Sequence, residues 1–227
     1  MHSQQEHSTR ILLFLKAPLP GTVKTRLAAS VGEEKATAIY MTLGASQLLR
    51  LPKGIPLEIH YSPRNKEAEM RQWLGTEPSY YPQCEGNLGD RIEHAVSEAF
   101  QRGAGTVLCI GADCPSLLPH HLDQAAKILL SGQSDVCIGP CTDGGYYLIS
   151  FRKHPPEPFF KGIRWSSQHT MADTLRNART HDLRIHCLET MNDIDTREDL
   201  DDAIKQGFLP PTCLPPEPLT NPQLVQQ

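Results

Sequence analysis

The chain has 227 residues, of which 39% are hydrophobic and 21% charged, and its formal net charge at pH 7 is -4. This composition is typical of one globular domain with a sizeable core, and it excludes a fibrous, disordered or disulfide-stapled protein. A slightly acidic chain, with a pI near 6.2, has no general attraction for polyphosphate backbones, so nucleic acid is not expected as a partner. Any phosphate group must therefore be bound locally, by a few basic side chains.

The N-terminal sequence and the cysteines indicate the cellular location. The first ten residues are polar, and the apolar run ILLFL that follows is too short for a signal peptide or a membrane span. The seven cysteines form an odd set without a CxxC pair, and several lie inside apolar runs such as TVLCIG. That pattern is typical of free thiols buried in a reducing compartment. The sequence therefore predicts a cytoplasmic protein without a membrane span.

Short apolar strand patterns alternate with amphipathic helical patterns along the chain. The predicted strands are 11–16, 55–62, 106–111 and 183–189, with two further runs inside 134–151. The predicted helices are 32–51, 65–75, 87–105, 120–131, 166–180 and 195–207. This order predicts an α/β layered fold with a mainly parallel sheet. We expect one domain over residues 11–207, between a flexible N-terminus (1–10) and a proline-rich tail (208–227) without periodicity.

The segment KAPLPGTVKTRL, residues 16–27, directly follows the first predicted strand. In an open α/β sheet, ligands bind outside the carboxyl ends of the strands. We expect the backbone amides of this loop to bind a diphosphate at the start of the first helix, together with Lys16, Gly21, Lys24 and Arg26. Val23 stands where the Walker A motif requires glycine before the lysine, which disfavours an NTPase. A surface turn with solvated cations is the alternative.

Aspartates follow two other predicted strands. Asp113 lies in GADCP, after TVLCI, and Asp195 lies in MNDIDTREDL. Two carboxylates aimed at the crevice of a phosphate-binding loop suit Mg²⁺ or Mn²⁺, with Asp113 as one ligand and Asp195 as the second. The alternatives are a capping role for Asp113 in the turn that follows it and a helix-capping role for Asp195 or Thr196.

Asp143 precedes two glycines and a predicted strand that begins with two tyrosines. A carboxylate held by small residues could orient or deprotonate an acceptor hydroxyl, whereas DGG could equally form a plain hairpin turn. Trp165 could stack on a base or a sugar, or it could be a core or rim aromatic. His120 and His121 lack a spaced partner for zinc and are expected to be exposed.

Six segments, in this order, carry a resemblance: FLKAPLPGTVKTRL, GNLGDRI, IGADCPSL, CTDGGYYLI, FKGIRWSS and NDIDTREDL. The chain resembles, from about Ile11 to Ile204, a bacterial family of small GT-A-fold transferases. That family is catalogued as a domain of unknown function and often named glycosyltransferases of selenium- or arsenosugar-associated gene clusters. It is also similar, more distantly, to the guanylyltransferases that act on molybdenum cofactor and on phospholactate.

The resemblance implies the nucleotide-diphospho-sugar transferase fold, a Rossmann-like three-layer αβα sandwich with a nucleotide half and an acceptor half. The roles that it implies are phosphate binding by Lys24 and Arg26, metal binding by Asp113 and Asp195, and a place near the nucleotide for Leu88–Arg91, including Gly89 and Arg91. We expect an acceptor near Asp143, with Gly144, Gly145, Tyr146 and Trp165 on the acceptor side.

Two departures from related patterns leave the reaction open. Ala112-Asp113-Cys114 stands where a metal-dependent GT-A glycosyltransferase has D-x-D, which is closer to the nucleotidylyltransferase form. Conversely, the single Gly21 stands in place of the glycine-rich loop that binds a triphosphate in nucleotidylyltransferases. The sequence therefore predicts sugar transfer from an NDP-sugar to a small acceptor, with nucleotidyl transfer from an NTP as the alternative. A non-catalytic nucleotide-binding protein is a third possibility.

Overall fold

A computed structural model describes residues 8–210 of the chain, and it shows a seven-stranded sheet with helices packed on both faces. The strands are β1 (Thr9–Lys16), β2 (Leu57–Ser62), β3 (Ser79–Pro82), β4 (Thr106–Ile110), β5 (Val136–Pro140), β6 (Tyr146–Phe151) and β7 (Ile185–Cys187). The helices are α1 (Thr25–Val31), α2 (Glu33–Arg50), α3 (Glu67–Leu74), α4 (Leu88–Gln101), α5 (Pro119–Leu130), α6 (Thr170–Thr180) and α7 (Arg197–Lys205).

The strands lie in the order β3-β2-β1-β4-β6-β5-β7. β1 pairs in parallel with both β2 and β4, and β5 pairs in parallel with β7. Only β6 runs against its neighbours, because a short loop returns the chain from β5 as a hairpin. The mainly parallel α/β sandwich that the sequence predicts is therefore confirmed.

The strand β1, which lies between β2 and β4, is buried on both faces, and its side chains alternate between two cores. Ile11, Leu13 and Leu15 contribute to the core that includes residues of α2, α3 and α5. Leu12 belongs to the opposite core, which includes residues of α4 and α6. A third, smaller cluster joins α1, α2 and α7. Because successive residues of a strand point to opposite faces, the continuous apolar run ILLFL supplies both layers at once.

Some element boundaries differ from the expectation. The strand β3 is not foreseen in the sequence, since its four residues end in proline and carry little pattern. It lies at the edge of the sheet, where a missing backbone N–H is tolerated. At the end of the described chain, Phe208 and Leu209 pack against the cluster of α1, α2 and α7. Most of the predicted N-terminal segment and of the predicted tail, 1–7 and 211–227, lies outside the described residues.

A buried carboxylate is held at the end of the sheet that carries the amino terminus of β1. The Glu58 side chain is 2% exposed, and its oxygens lie 2.9 Å from Arg10 and 2.6 Å from Arg102. His60 Nε2 lies 3.2 Å from the same carboxylate. Burial alone would raise the pKa of Glu58, but hydrogen bonds from His60, Arg102 and Arg10 outweigh it and lower the pKa to about 2. This network joins β1, β2 and the end of α4.

We expect Glu58→Gln to lower the free energy of unfolding at pH 7 by about 2–4 kcal/mol, because a charge network is broken and the arginines lose their partner. The pKa of Glu58 is lower in the folded than in the unfolded chain, so its stabilisation is full above pH 4.5 and is lost as the pH falls toward 2. Urea unfolding should show that the difference in the free energy of unfolding between Glu58→Gln and wild type is less than half as large at pH 3 as at pH 7. Glu34→Gln, at an exposed position, is the control, and a difference that does not change with pH would contradict the assignment.

Candidate active site

Three strand-end loops are joined at the carboxyl edge of the sheet by backbone hydrogen bonds. The Ile194 amide donates to the carbonyl of Asp113 at 3.0 Å, which ties the segment after β7 to the loop after β4. The Thr142 amide donates to the carbonyl of Met191 at 3.1 Å, which ties the same segment to the β5–β6 hairpin. The predicted site segments therefore meet because parallel strands end at one edge.

The loop after β1 turns inward at Lys24. Lys24 has a left-handed backbone, with φ 48°, and it is the N-cap residue of α1. Its neighbours Val23 and Leu27 are buried, so the loop is anchored on both sides of the lysine. The Lys24 side chain is only 3% exposed, and its Nζ lies 2.7 Å from Asp113 Oδ1 and 3.5 Å from Asp195 Oδ1. Lys24 Nζ also donates a hydrogen bond to the carbonyl of Ile194.

The charges around Lys24 keep its side chain protonated. Burial alone would lower the pKa of Lys24, but Asp113 and, less strongly, Asp195 and Asp193 outweigh it and raise the pKa above its ordinary value. Arg26 differs from Lys24, because its side chain is 70% exposed and pairs with the other oxygen of Asp195 at 3.1 Å. The two predicted metal ligands therefore share a buried ammonium in this structure.

Asp195 precedes a helix without capping it. Thr196 is the N-cap residue of α7, and it forms a capping box with Asp199. Asp199 also accepts a hydrogen bond from the Asp195 amide at 3.0 Å. The capping role that competed with the metal role in the sequence thus belongs to Thr196, which leaves the Asp195 carboxylate free to face Lys24 and Arg26.

A second acidic group lies beside the first. Asp143 is in the β5–β6 hairpin, where its Oδ1 accepts the Gly145 amide at 2.7 Å. One potential ligand atom each from Cys141, Asp143 and Asp193 lies within 4.8 Å of the other two. Burial and the charges of Asp143 and Asp195 raise the pKa of Asp193 to about 6. The hairpin and the acceptor interpretations of DGG are compatible, because the turn itself places Asp143 at the sheet edge.

The largest cavity of this edge has a volume of about 460 Å³. It is lined by Lys16, Lys24, Arg26 and Arg91, and by the acidic residues Asp113 and Asp195. Gln83 lies at its wall, where its side-chain Nε2 donates to the backbone carbonyl of His60 at 2.7 Å and its side-chain Oε1 accepts from Arg91 at 3.2 Å. The strand β3 was not foreseen, and Gln83, the residue that follows it, was therefore missed as well.

An adjoining cavity of about 300 Å³ shares Arg26, Asp113 and Asp195 with the first. It is further lined by Asp143, Asp193, Gly145, Tyr146 and Trp165. The Trp165 and Tyr146 rings contact edge to face, with their centroids 6.3 Å apart. A Cβ added at Gly89 would lie 2.6 Å from the Trp165 ring, so the indole packs closely on the first turn of α4. Trp165 is thus a half-buried wall of this cavity.

Two candidate glycines line neither cavity, and one expectation about a histidine is wrong. Gly21, with φ 76°, is at the exposed turn beside Glu33 and lines neither cavity. Gly144, with φ 90°, packs against the backbone of Gln168. The expectation that His121 is exposed is wrong: His121 is 4% exposed, because its ring accepts the Leu118 amide and contacts Glu189 at 2.6 Å. These partners are distant in sequence or local to the cap, and no short motif indicates them.

Most of the cysteines are free and buried, as expected. Cys109, Cys114, Cys137 and Cys141 are buried, whereas Cys84 is half-buried and Cys187 is exposed. Cys213 lies outside the described residues. Among residues 8–210, no helix is both long enough and apolar enough to cross a lipid bilayer.

Residues 47–167 match the model of a protein family described as an uncharacterized protein conserved in bacteria, DUF2064. The chain belongs to this family. The DUF2064 chain is 34% identical to a protein of Desulfovibrio desulfuricans G20 that carries the provisional name nucleotide-diphospho-sugar transferase. The two structures superpose with a TM-score of 0.82 over 88% of this chain and 87% of the other. The family that the six motifs resemble is thereby confirmed.

More distant structures share the fold alone. A CMP:2-keto-3-deoxy-manno-octonic acid synthetase complexed with CTP is 9% identical, with a TM-score of 0.55 over 89% of this chain and 100% of that one. A cytidylyltransferase of Leptospira borgpetersenii serovar Hardjo-bovis is 16% identical, with a TM-score of 0.56 over 88% and 87% of the two chains. None of the curated proteins matches the chain in sequence. The DUF2064 chain therefore has the fold of nucleotidyl and nucleotide-sugar transferases.

We expect Gly89→Ala to displace the Trp165 indole, because the added methyl group would lie 2.6 Å from the ring. The overpacking should lower the free energy of unfolding by about 1–3 kcal/mol. In a Trp73→Phe background, which leaves Trp165 as the single tryptophan, acrylamide should quench the fluorescence of the Gly89→Ala protein more strongly. Ser97→Ala, on the same helix, is the control. Unchanged quenching would show that the position and exposure of the Trp165 indole do not depend on its close contact with Gly89.

Proposed function

We propose that this protein is a transferase that uses a nucleotide-activated donor, and that it moves a sugar from an NDP-sugar to a small acceptor. The observation that carries the proposal is the pair of adjoining cavities at the carboxyl edge of the sheet. One is basic at its rim and the other is acidic, and Asp113 and Asp195 line both. The similarity to the Desulfovibrio protein, named as a nucleotide-diphospho-sugar transferase, supports the same class of donor.

The larger cavity suits the donor. Lys16 is exposed at the end of β1, Arg26 is exposed in the first turn of α1, and Arg91 reaches the cavity from α4. Guanidinium and ammonium groups at a strand end are the donors that bind phosphate oxygens most strongly. Arg26 is joined to Asp195 at the boundary of the two cavities, so a diphosphate bound to Arg26 would lie where the donor meets the acceptor.

The charge of the smaller cavity favours an acceptor without a phosphate. Four carboxylates line it, from Asp113, Asp143, Asp193 and Asp195, and Arg26 is its one basic lining residue among the described part of the chain. A phosphorylated acceptor would bring further negative charge to this group, which opposes its binding. A neutral hydroxyl compound has no such cost. This observation favours glycosyl transfer over nucleotidyl transfer to a phosphate.

The transfer would break the bond between the anomeric carbon and the diphosphate oxygen, and it would form a bond from that carbon to the acceptor oxygen. Asp143 would orient the acceptor hydroxyl and accept its proton, with its carboxylate held by the Gly145 amide. Arg26 would stabilise the negative charge that develops on the departing diphosphate. Trp165 would form the wall against which the acceptor lies.

Asp113 and Asp195 have the chemistry of a divalent-cation site. Asp113 Oδ1 is buried and pairs with Lys24 Nζ at 2.7 Å, and a carboxylate oxygen keeps a further lone pair with which it could accept a second ligand. Mg²⁺ or Mn²⁺ bound to the two carboxylates would neutralise charge on the diphosphate.

Nucleotidyl transfer from an NTP is the second candidate. It is favoured by the single aspartate of Ala112-Asp113-Cys114, in place of a D-x-D pair. In that reaction the acceptor would attack the α-phosphorus and pyrophosphate would leave. The two candidates differ in the nucleotide that binds and in the group that departs.

Calorimetric titration of the purified protein distinguishes the candidates. We expect an NDP-sugar to bind in the presence of Mg²⁺ or Mn²⁺, and the common NTPs to bind weakly. A preference for one NTP would instead favour nucleotidyl transfer. Equal binding with and without the cation, and no product from any donor, would indicate a non-catalytic nucleotide-binding protein.

We expect Asp113→Asn to lower the turnover by about 10²–10³-fold or more, because the amide cannot hold the cation at the diphosphate. The fold should persist, because the Asp113 side chain is 45% exposed and the buried Lys24 ammonium keeps Asp195 and the Ile194 carbonyl as partners. Turnover should be measured with the donor that calorimetry selects, beside the thermal unfolding midpoint of both proteins. Asp123→Asn, at an exposed position of α5, is the matched control. An Asp113→Asn protein with wild-type turnover would refute the metal role.

A further inference from the structure

Lys24 holds the position at which a divalent cation would have to bind. Its Nζ lies 2.7 Å from Asp113 Oδ1, 3.5 Å from Asp195 Oδ1 and within hydrogen-bond distance of the Ile194 carbonyl. Two carboxylate oxygens and a backbone carbonyl are also the kind of ligand that a hard cation such as Mg²⁺ or Mn²⁺ takes. The ammonium therefore neutralises the same oxygens that the predicted metal site would use.

The fold directs Lys24 into this position. The left-handed backbone at Lys24 turns its side chain inward, and left-handed geometry is unfavourable for a residue other than glycine. The buried side chains of Val23 and Leu27 fix the chain on either side. Arg26, two residues later, is by contrast exposed and free to meet a ligand from solvent. The start of α1 thus presents one cation outward, at Arg26, while its N-cap residue Lys24 is held against the aspartates.

Two cations cannot occupy this position together. A divalent ion bound to Asp113 and Asp195 would lie within a few ångströms of the ammonium, where like charges repel strongly because half-buried groups are poorly screened. Binding of the ion therefore requires the Lys24 ammonium to move away from the carboxylates. The displaced ammonium then needs a new anionic partner. Lys24 also lines the larger cavity, and the diphosphate proposed to bind there would be that partner.

We propose that Lys24 is a positioning residue that occupies the Asp113–Asp195 cation position in the free protein, so that a divalent cation binds there tightly only together with a diphosphate that draws Lys24 away. The inference rests on the proposed function for the diphosphate, and on the described geometry for the exchange of one cation for another. The donor and the cation then bind together, and a cation alone does not displace Lys24 from the two carboxylates.

The first experiment measures the binding of Mn²⁺ to the free protein by electron paramagnetic resonance. We expect Lys24→Met, which keeps an unbranched apolar stem and removes the charge, to bind Mn²⁺ at least about tenfold more tightly than wild type. Lys53→Met, at an exposed position, removes one charge elsewhere and should leave the affinity unchanged. An affinity of Lys24→Met equal to or below that of wild type would overturn the proposal.

The second experiment adds nucleoside diphosphates to the same titration. ADP, CDP, GDP and UDP are tested singly, and we expect at least one to tighten Mn²⁺ binding to the wild type much more than to Lys24→Met. If Lys24→Met binds Mn²⁺ more tightly while no nucleotide binds either protein, the cation exchange stands and the proposed function fails. If nucleotides tighten Mn²⁺ binding equally in both proteins, the proposed function stands and the role of Lys24 fails.

A measurement on the wild type keeps the proposal testable if Lys24→Met does not fold. With ¹³Cε-labelled lysine, and with the Lys24 signal assigned by Lys24→Arg, Mg²⁺ alone should leave the signal nearly unmoved. Mg²⁺ with the diphosphate selected above should shift it, because the ammonium changes partners. A large shift with Mg²⁺ alone, or none with both ligands, would contradict the exchange. The signal of a purely structural lysine would not shift with Mg²⁺ alone or with Mg²⁺ and the diphosphate.

Discussion

The pairing of the buried Lys24 ammonium with Asp113 and Asp195 is the interaction on which the functional edge of this protein depends. It joins three segments that are far apart in sequence, namely the loop after β1, the loop after β4 and the segment before α7. Burying an ammonium is costly unless its charge is compensated, and here two carboxylates and a carbonyl compensate it. The cluster therefore fixes the boundary between the two cavities.

The supports of this cluster are rigid parts of the fold. β1 lies in the middle of the parallel half of the sheet, and its apolar residues belong to the cores on both faces. The segment that carries Asp195 is held by a backbone hydrogen bond to Asp113 and by the capping box of α7. Such supports keep the two aspartates in place before a ligand arrives, which is the condition for electrostatic stabilisation of a developing charge.

The asymmetry of charge along the edge separates the two halves of the site. Basic side chains from the end of β1, from the start of α1 and from α4 line the larger cavity, whereas the carboxylates of Asp143 and Asp193 lie in the smaller one. The carboxylates of the smaller cavity repel one another, and burial together with this repulsion raises the pKa of Asp193 to about 6. The proposed function places an anionic donor on the basic side of this gradient and a neutral acceptor on the acidic side.

The sequence by itself determined the alternation of strands and helices, the α/β class, the family and the four segments that follow strands, at 16–27, 111–115, 143–145 and 193–196. These depend on local periodicity and on motifs, which are read directly from neighbouring residues. Only the tertiary structure decided that Lys24 faces Asp113 and Asp195, that Asp143 meets Asp193 and Cys141, and that His121 is buried against Glu189. Lys24 and Asp195 are 171 positions apart, and their contact depends on the order of strands in the sheet. The same local patterns are compatible with several strand orders, so periodicity cannot specify which strand ends meet.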